Sequence, residues 1–275
     1  MSGTDTAPAP PGAGVVRVMS WNLHGGIGPD GRFDLARIGT LIERHRPDVL
    51  ALQEIDTRGR DPACLAPLEL LAGGGHRAEA RTIVTDDGHY GHALFSRWPF
   101  ERVRLHDLSH RRREPRSAIE AEIRVGGIGI HLVAAHLGLD IPERRMQARR
   151  LAKLAEAPWA ATTLMMGDFN DWFPFGSVQR ALAEALPVRT RLRTFPTVMP
   201  ALKLDRIYAN TPLLAVWTDR AAAFCSDHLP IIADVRPSRG TAGARGDRAA
   251  RQAAETFEAA GAAPMPPDER WRETG

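Results

Sequence analysis

Short continuous apolar runs alternate along the chain with stretches whose apolar residues fall three and four apart. Val15 to Leu23 is the first run, passing through Ser20-Trp21-Asn22-Leu23-His24, and it predicts a buried strand. A glycine-rich turn, Gly25 to Gly31, follows. Asp34 is placed to cap a helix reaching about Arg44, with Leu35, Ile38, Leu41 and Ile42 on one face. Pro47-Asp48 restarts the chain, and Val49 to Ile55 reads as a second strand carrying Gln53-Glu54 near its end.

Residues 56–88 show no sustained period and are expected to be loop-rich, with one short helix at Pro67–Leu71. Gly91 to Phe95 and Arg102 to Leu105 read as strands around a Trp98-Pro99 turn. His106 to Arg116 reads as a basic loop. Ser117 to Val125 and Gly129 to His136 then form a hairpin across Gly126-Gly127. Pro142 opens a helix from Glu143 to about Glu156. Thr162 to Met166 is another strand, followed by a helix over Gly176–Leu186 and strands at Leu204–Tyr208 and Ile231–Val235. Residues 1–14, rich in Ala, Pro and Gly, are expected to be a flexible leader, and 237–275 a mostly disordered tail. The ordered domain is therefore expected over 15–236.

Composition narrows the class without naming a function. The chain has 275 residues, 43% of them hydrophobic, which supports a sizeable core. The formal net charge is +3 with only two lysines, Lys153 and Lys203, so a phosphate-rich partner is permitted but not demanded. Cys64 and Cys225 lie far apart and outside any CxxC pattern, which argues against a thiolate zinc site and fits a reducing cytoplasm. The N-terminus lacks the basic start and apolar run of a secretory signal, and no apolar run approaches the ~20 residues of a membrane span.

Gly26-Ile27-Gly28-Pro29-Asp30-Gly31 matches the G-x-G-x-x-G pattern literally, between a strand and a helix. In a dinucleotide site the glycines open the helix directly, so that its amides meet the pyrophosphate. Here Arg32-Phe33-Asp34 intervenes and puts a carboxylate where phosphate should sit, so the nucleotide reading is set aside.

The candidate chemistry gathers at strand ends. Met165-Met166-Gly167-Asp168-Phe169-Asn170 aims a carboxylate and a carboxamide out of a strand, which suits a hard metal ion and a phosphate, or forms an ordinary Asx turn. Trp21-Asn22, Gln53-Glu54, Ala135-His136-Leu137 and Ser226-Asp227-His228-Leu229-Pro230 end strands in the same way, and Leu204-Asp205-Arg206-Ile207 sets an acid in an apolar run. Taken singly, Asn22 could be a turn residue, Glu54 a surface acid, His136 a core histidine and Asp205 the partner of Arg206. His89, His92, His106 and His110 lack zinc-site spacing and are read as surface residues. Trp172-Phe173 reads as core packing rather than as a lip for bases or lipid, and Arg111 to Arg113 as a solvated loop.

In this order, these motifs resemble the endonuclease/exonuclease/phosphatase superfamily, whose members include deoxyribonuclease I, exonuclease III-type apurinic endonucleases, inositol polyphosphate 5-phosphatases and neutral sphingomyelinases. Gly91-His-Ala-Leu-Phe-Ser-Arg-Trp-Pro is similar to a further family segment, and the resemblance runs from Val15 to about Val235. It implies an α/β four-layer sandwich: two mixed β-sheets packed face to face with helices outside, and an active site at one edge. It also implies a phosphoester hydrolase using Mg²⁺ or Mn²⁺, most plainly a phosphodiesterase acting on nucleic acid, phospholipid or a small phosphodiester. The alternatives are a phosphomonoesterase for an inositol phosphate or similar compound and, further off, a non-catalytic phosphoester-binding module. A monomer is expected.

On that resemblance, Glu54, Asn22 and Asp227 form the metal side. Asp168 orients or deprotonates water, Asn170 holds a phosphate oxygen, Asp205 orients His228, and His136 donates to the phosphate or the leaving oxygen. Arg116 is a phosphate contact. His24 departs from the pattern, because apurinic endonucleases carry Asp there, and this weakens a DNA-repair specificity rather than the chemistry.

Overall fold

The structure is a computed structural model describing residues 12–61, 75–157 and 160–238. Two six-stranded mixed sheets make its centre. The first contains β1 (Val16–Asn22), β2 (Val49–Asp56), β3 (His76–Thr85), β4 (Gly88–Ser96), β11 (Leu213–Trp217) and β12 (Ile231–Val235), in the order β11-β12-β1-β2-β4-β3. The second contains β5 (Phe100–Asp107), β6 (Ser117–Val125), β7 (Ile128–His136), β8 (Thr162–Asp168), β9 (Val188–Arg189) and β10 (Asp205–Ala209), in the order β5-β6-β7-β8-β10-β9.

Alternation along the strands explains the layers. Val18, Ala51 and Leu94 of the first sheet meet Ile119, Leu132, Leu164 and Ile207 of the second in one buried cluster. The opposite face of the first sheet, including Met19, Trp21 and Leu52, packs under α1 (Leu35–His45) through Ile38, Leu41 and Ile42. The opposite face of the second, including Val133 and Met165, packs under α2 (Ile141–Ala155) and α3 (Ser177–Leu182) through Leu151, Val178 and Leu182. The result is the four-layer α/β sandwich.

Several elements differ from the sequence expectation. Residues 76–85, expected as loop, form β3, and β5 extends to take in His106. The helix expected over Gly176–Leu186 stops at Leu182, and β9, β11 and a 3-10 turn at Arg220–Phe224 carry too weak a pattern to be read. The Pro67–Leu71 helix lies outside the described residues, as do nearly all of the expected leader and tail. The glycine-rich segment folds back on itself: Gly28 N–H donates to the Arg32 carbonyl, and Asp34 caps α1 by accepting from Arg37 N–H.

Candidate active site

Register brings the polar strand ends to one level. His136 is the partner of Asp168 across the parallel β7–β8 ladder, and Asp205 is its partner across the antiparallel β8–β10 ladder. Gly167 makes this approach possible. At φ 149° it lies so close to β7 that a Cβ would sit 1.8 Å from the Ala135 carbonyl oxygen. In the other sheet Asn22 stands opposite Gln53, and the next residue, Glu54, has a left-handed φ of 54° where the β2–β4 register slips.

The side chains of both sheets then converge. Asn22 Nδ2 donates to Glu54 Oε1 at 2.8 Å and to Asp168 Oδ2 at 3.1 Å. His136 Nε2 is 3.8 Å from each of those two carboxylates, and His228 Nε2 is 3.9 Å from Asp168 Oδ2. Asp205 Oδ2 lies 2.8 Å from His228 Nδ1 and accepts from the Thr194 hydroxyl at 2.5 Å. Asp227 sits at the rim, with Oδ2 3.5 Å from His24 Nδ1 and Oδ1 4.0 Å from His228 Nε2. Its neighbours are held firmly: Ser226 Oγ donates to the Asn22 carbonyl, and Trp21 Nε1 donates to the His228 carbonyl.

Asn170 completes an Asx turn, its N–H donating to Asp168 Oδ1 at 3.0 Å, with a left-handed φ of 49°. The two residues are therefore not on one extended strand as their spacing suggests. One side-chain N–H of Asn170 is spent on the Leu137 carbonyl.

Burial sets the electrostatics. It pushes the Asp168 carboxyl up to about 7, and the Asp205 carboxylate beside it adds to that. Burial works against the charged form of His228, but the Asp205 carboxylate overrides it and raises the imidazole to about 10. His136 is held well below its ordinary value by burial and then by the Arg116 guanidinium. Arg116 donates to His136 Nδ1 at 2.9 Å, so neutral His136 carries its proton on Nε2, the nitrogen that faces Glu54 and Asp168.

These contacts revise the sequence reading in several places. Arg116, expected as a phosphate contact, lines the cleft but is buried and donates to His136. The Asn22 amide spends its oxygen on the His24 N–H and its nitrogen on two carboxylates, so it orients acids instead of presenting a ligand oxygen. His92 is buried, not superficial, and burial lowers it to about 4. Asp205 contacts His228, the partner expected for it, and accepts from Thr194, so the alternative that it pairs with Arg206 falls: Arg206 reaches the Thr190 carbonyl instead. Phe173 is 45% exposed rather than packed in the core, because Phe169, edge-on to Tyr208, already fills the space under that loop.

Sequence reasoning misses Thr194, and also Phe195, whose ring lies 4.8 Å from that of His228. Both lie in an irregular segment whose only signal is its position before Leu204-Asp205. A cleft of about 280 Å³ opens onto Asp168, His136, His228 and Glu54, with Leu139, Trp172, Phe195 and Leu202 in its walls.

The donor set fits a hard divalent cation. Glu54 Oε1 and Asp168 Oδ2 converge on one amide nitrogen, with Asp227 near the rim, and crowded oxygen anions of this kind favour Mg²⁺ or Mn²⁺. Asp168, Asp205 and His228 also bring ligand atoms within 4.8 Å of one another. An ion among those three would have to break the 2.8 Å contact between His228 and Asp205, so the Glu54 side is the better seat.

Residues 19–228 match the model of the Endonuclease/Exonuclease/phosphatase family. The chain belongs to that family. It is accordingly a hydrolase acting on phosphoester bonds. Uncharacterized protein YbhP of Escherichia coli strain K12 is 30% identical over 246 residues, covering 80% of this chain and 95% of that protein. An endonuclease/exonuclease/phosphatase from Beutenbergia cavernae superposes with a TM-score of 0.65 at 22% identity, covering 82% of this chain and 72% of that one. The human Nocturnin catalytic domain, solved with a bound sulfate anion, gives 0.60 at 19%, covering 82% and 95%. Among the described residues, no helix is long and apolar enough to cross a membrane.

Proposed function

We propose that the chain is a Mg²⁺-dependent phosphodiesterase that cleaves by attack of water on phosphorus. The observation that carries this reading is the set of neighbours around Asp168 Oδ2: Asn22 at 3.1 Å, His136 at 3.8 Å and His228 at 3.9 Å, on the floor of an open cleft. Glu54, supported by Asp227, would hold the ion, which supplies polarisation of a phosphoryl oxygen and charge neutralisation when bound.

Asp168, whose carboxyl ionises near 7, takes the proton of the attacking water as the new P–O bond forms. Asp205 holds His228 Nδ1 and keeps the ring protonated, so its Nε2–H would donate to a phosphoryl oxygen. As the ester P–O bond breaks, the neutral His136 Nε2–H donates a hydrogen bond that stabilises charge on the leaving oxygen, which takes its proton from water. The second side-chain N–H of Asn170 would support a non-bridging oxygen.

The walls favour a diester over a monoester. A monoester dianion needs more cations, and the one arginine lining the cleft, Arg116, is engaged with His136. The free, buried Cys225 supports a reducing, cytoplasmic setting.

Chelated protein assayed on bis(p-nitrophenyl) phosphate and on p-nitrophenyl phosphate tests the reading. Mg²⁺-restored turnover, faster on the diester, is expected. Faster turnover of the monoester would make this a phosphatase, and binding without turnover would leave only a phosphoester-binding module.

A further inference from the structure

The cleft mouth carries apolar surface that its own chain does not cover. Among the described residues, the three most exposed large apolar side chains are Phe175 at 78%, Met199 at 77% and Val198 at 74%. All three belong to the segments that wall the cleft. Phe175 follows Trp172, while Val198 and Met199 lie between Phe195 and Leu202. On the Leu139 wall, Leu139 itself is 65% exposed and Ile141 40%. Apolar side chains this open, clustered around one opening, mark an interaction surface rather than scattered exposure.

Positive charge lies on the same rim. Arg111, Arg112 and Arg113 line a second hollow together with Asp140 and Pro142, the residues flanking Ile141. Arg113 is 3.6 Å from Asp140, but among the described residues Arg111 and Arg112 have no ion-pair partner. Arg37, Arg58 and Arg124 are neutralised locally by Asp30, Asp56 and Glu101, whereas Arg111 and Arg112 are open at the cleft mouth. Open arginines beside open aliphatic and aromatic side chains suit an interface that offers anionic headgroups above acyl chains.

We infer that the mouth of the cleft docks on an anionic phospholipid bilayer, so that the phosphodiester enters from the membrane surface. This rests on the phosphodiesterase reading above and names the source of its substrate. A nucleic acid strand fits less well. Bases bind by stacking; Phe173 and Phe175 offer open rings, but Leu139, Ile141, Val198 and Met199, which make up most of the open surface, have none, and Trp172 is covered by the Arg144 guanidinium at 4.3 Å.

The full-length protein, sedimented with sucrose-loaded vesicles of phosphatidylglycerol and phosphatidylcholine or of phosphatidylcholine alone, tests this. Wild type should pellet with the anionic vesicles and much less with the neutral ones. Phe175→Ser with Met199→Ser should lower the bound fraction about tenfold, and so should Arg111→Ser with Arg112→Ser, at unchanged melting temperature. Val198→Ser, on one wall only, should show a partial loss. No pelleting, or variants that pellet like wild type, overturns the inference. Binding of an oligothymidylate that the Phe175 and Met199 changes abolish would assign the surface to nucleic acid and overturn it as well. Wild-type turnover of soluble bis(p-nitrophenyl) phosphate, read in parallel, separates failure of membrane docking from failure of the hydrolase reading.

Discussion

Asp168 and Asp205 face each other as direct partners across two antiparallel strands, and both are buried. Two carboxylates in that position repel, and the fold tolerates them because His228 contacts Asp205 and Asn22 donates to Asp168. The site therefore holds unfavourable negative charge that a bound cation would relieve.

The Arg116–His136 contact should behave as a unit. Arg116→Ala frees His136 to change tautomer, so kcat should fall about tenfold to a hundredfold with little change in KM. Arg116→Ala in a His136→Ala background should then cost little more. Full additivity in the double-mutant cycle would show that the two side chains act independently.

His92 should make stability fall on acidification. Its folded value is depressed from 6.5 to about 4, so below 6.5 the unfolded chain takes up a proton that the folded chain refuses. Stability contributed by neutral His92 is present above that range and is lost as pH falls, by about 2 kcal/mol between pH 7 and pH 5. Urea unfolding of wild type and His92→Gln at both pH values reads this as a smaller pH slope in the variant. Equal slopes would exclude His92 as the source.

Gly167→Ala should be among the most damaging small changes in the protein. A methyl group there would overlap the Ala135 carbonyl, 1.8 Å away, on a backbone at φ 149°. The loss should reach about 3 kcal/mol or more, because the strand pairing that aligns His136 with Asp168 must separate. Thermal unfolding measures it, and a shift of only a degree or two would contradict the pairing of β7 with β8 in this register.

What the sequence made legible were the short local motifs. Gly167-Asp168-Phe169-Asn170 and Ser226-Asp227-His228 each carry chemistry and turn geometry within a few residues. β3 escapes the pattern because its inward positions are the small Ala78 and Ala80, while Arg77, Glu79 and Arg81 pair with one another outside. The hydrophobic signal of such an edge strand is too weak to separate it from loop. The Arg116–His136 contact depends on hairpin register, with Ala118 opposite Ala135, which no residue type announces. Hydrophobicity alone assigns Phe173 to the core, but a loop that follows an already filled core leaves its apolar residues outside.

The decisive comparison is wild type against Asp168→Asn, after chelation and return of Mg²⁺, on bis(p-nitrophenyl) phosphate. The substitution keeps shape and removes a buried acid, so the variant should melt no lower than wild type while turnover falls about a thousandfold. Wild-type turnover that survives chelation, or an Asp168→Asn protein that works as well as its parent, would contradict a metal-dependent hydrolysis centred on Asp168.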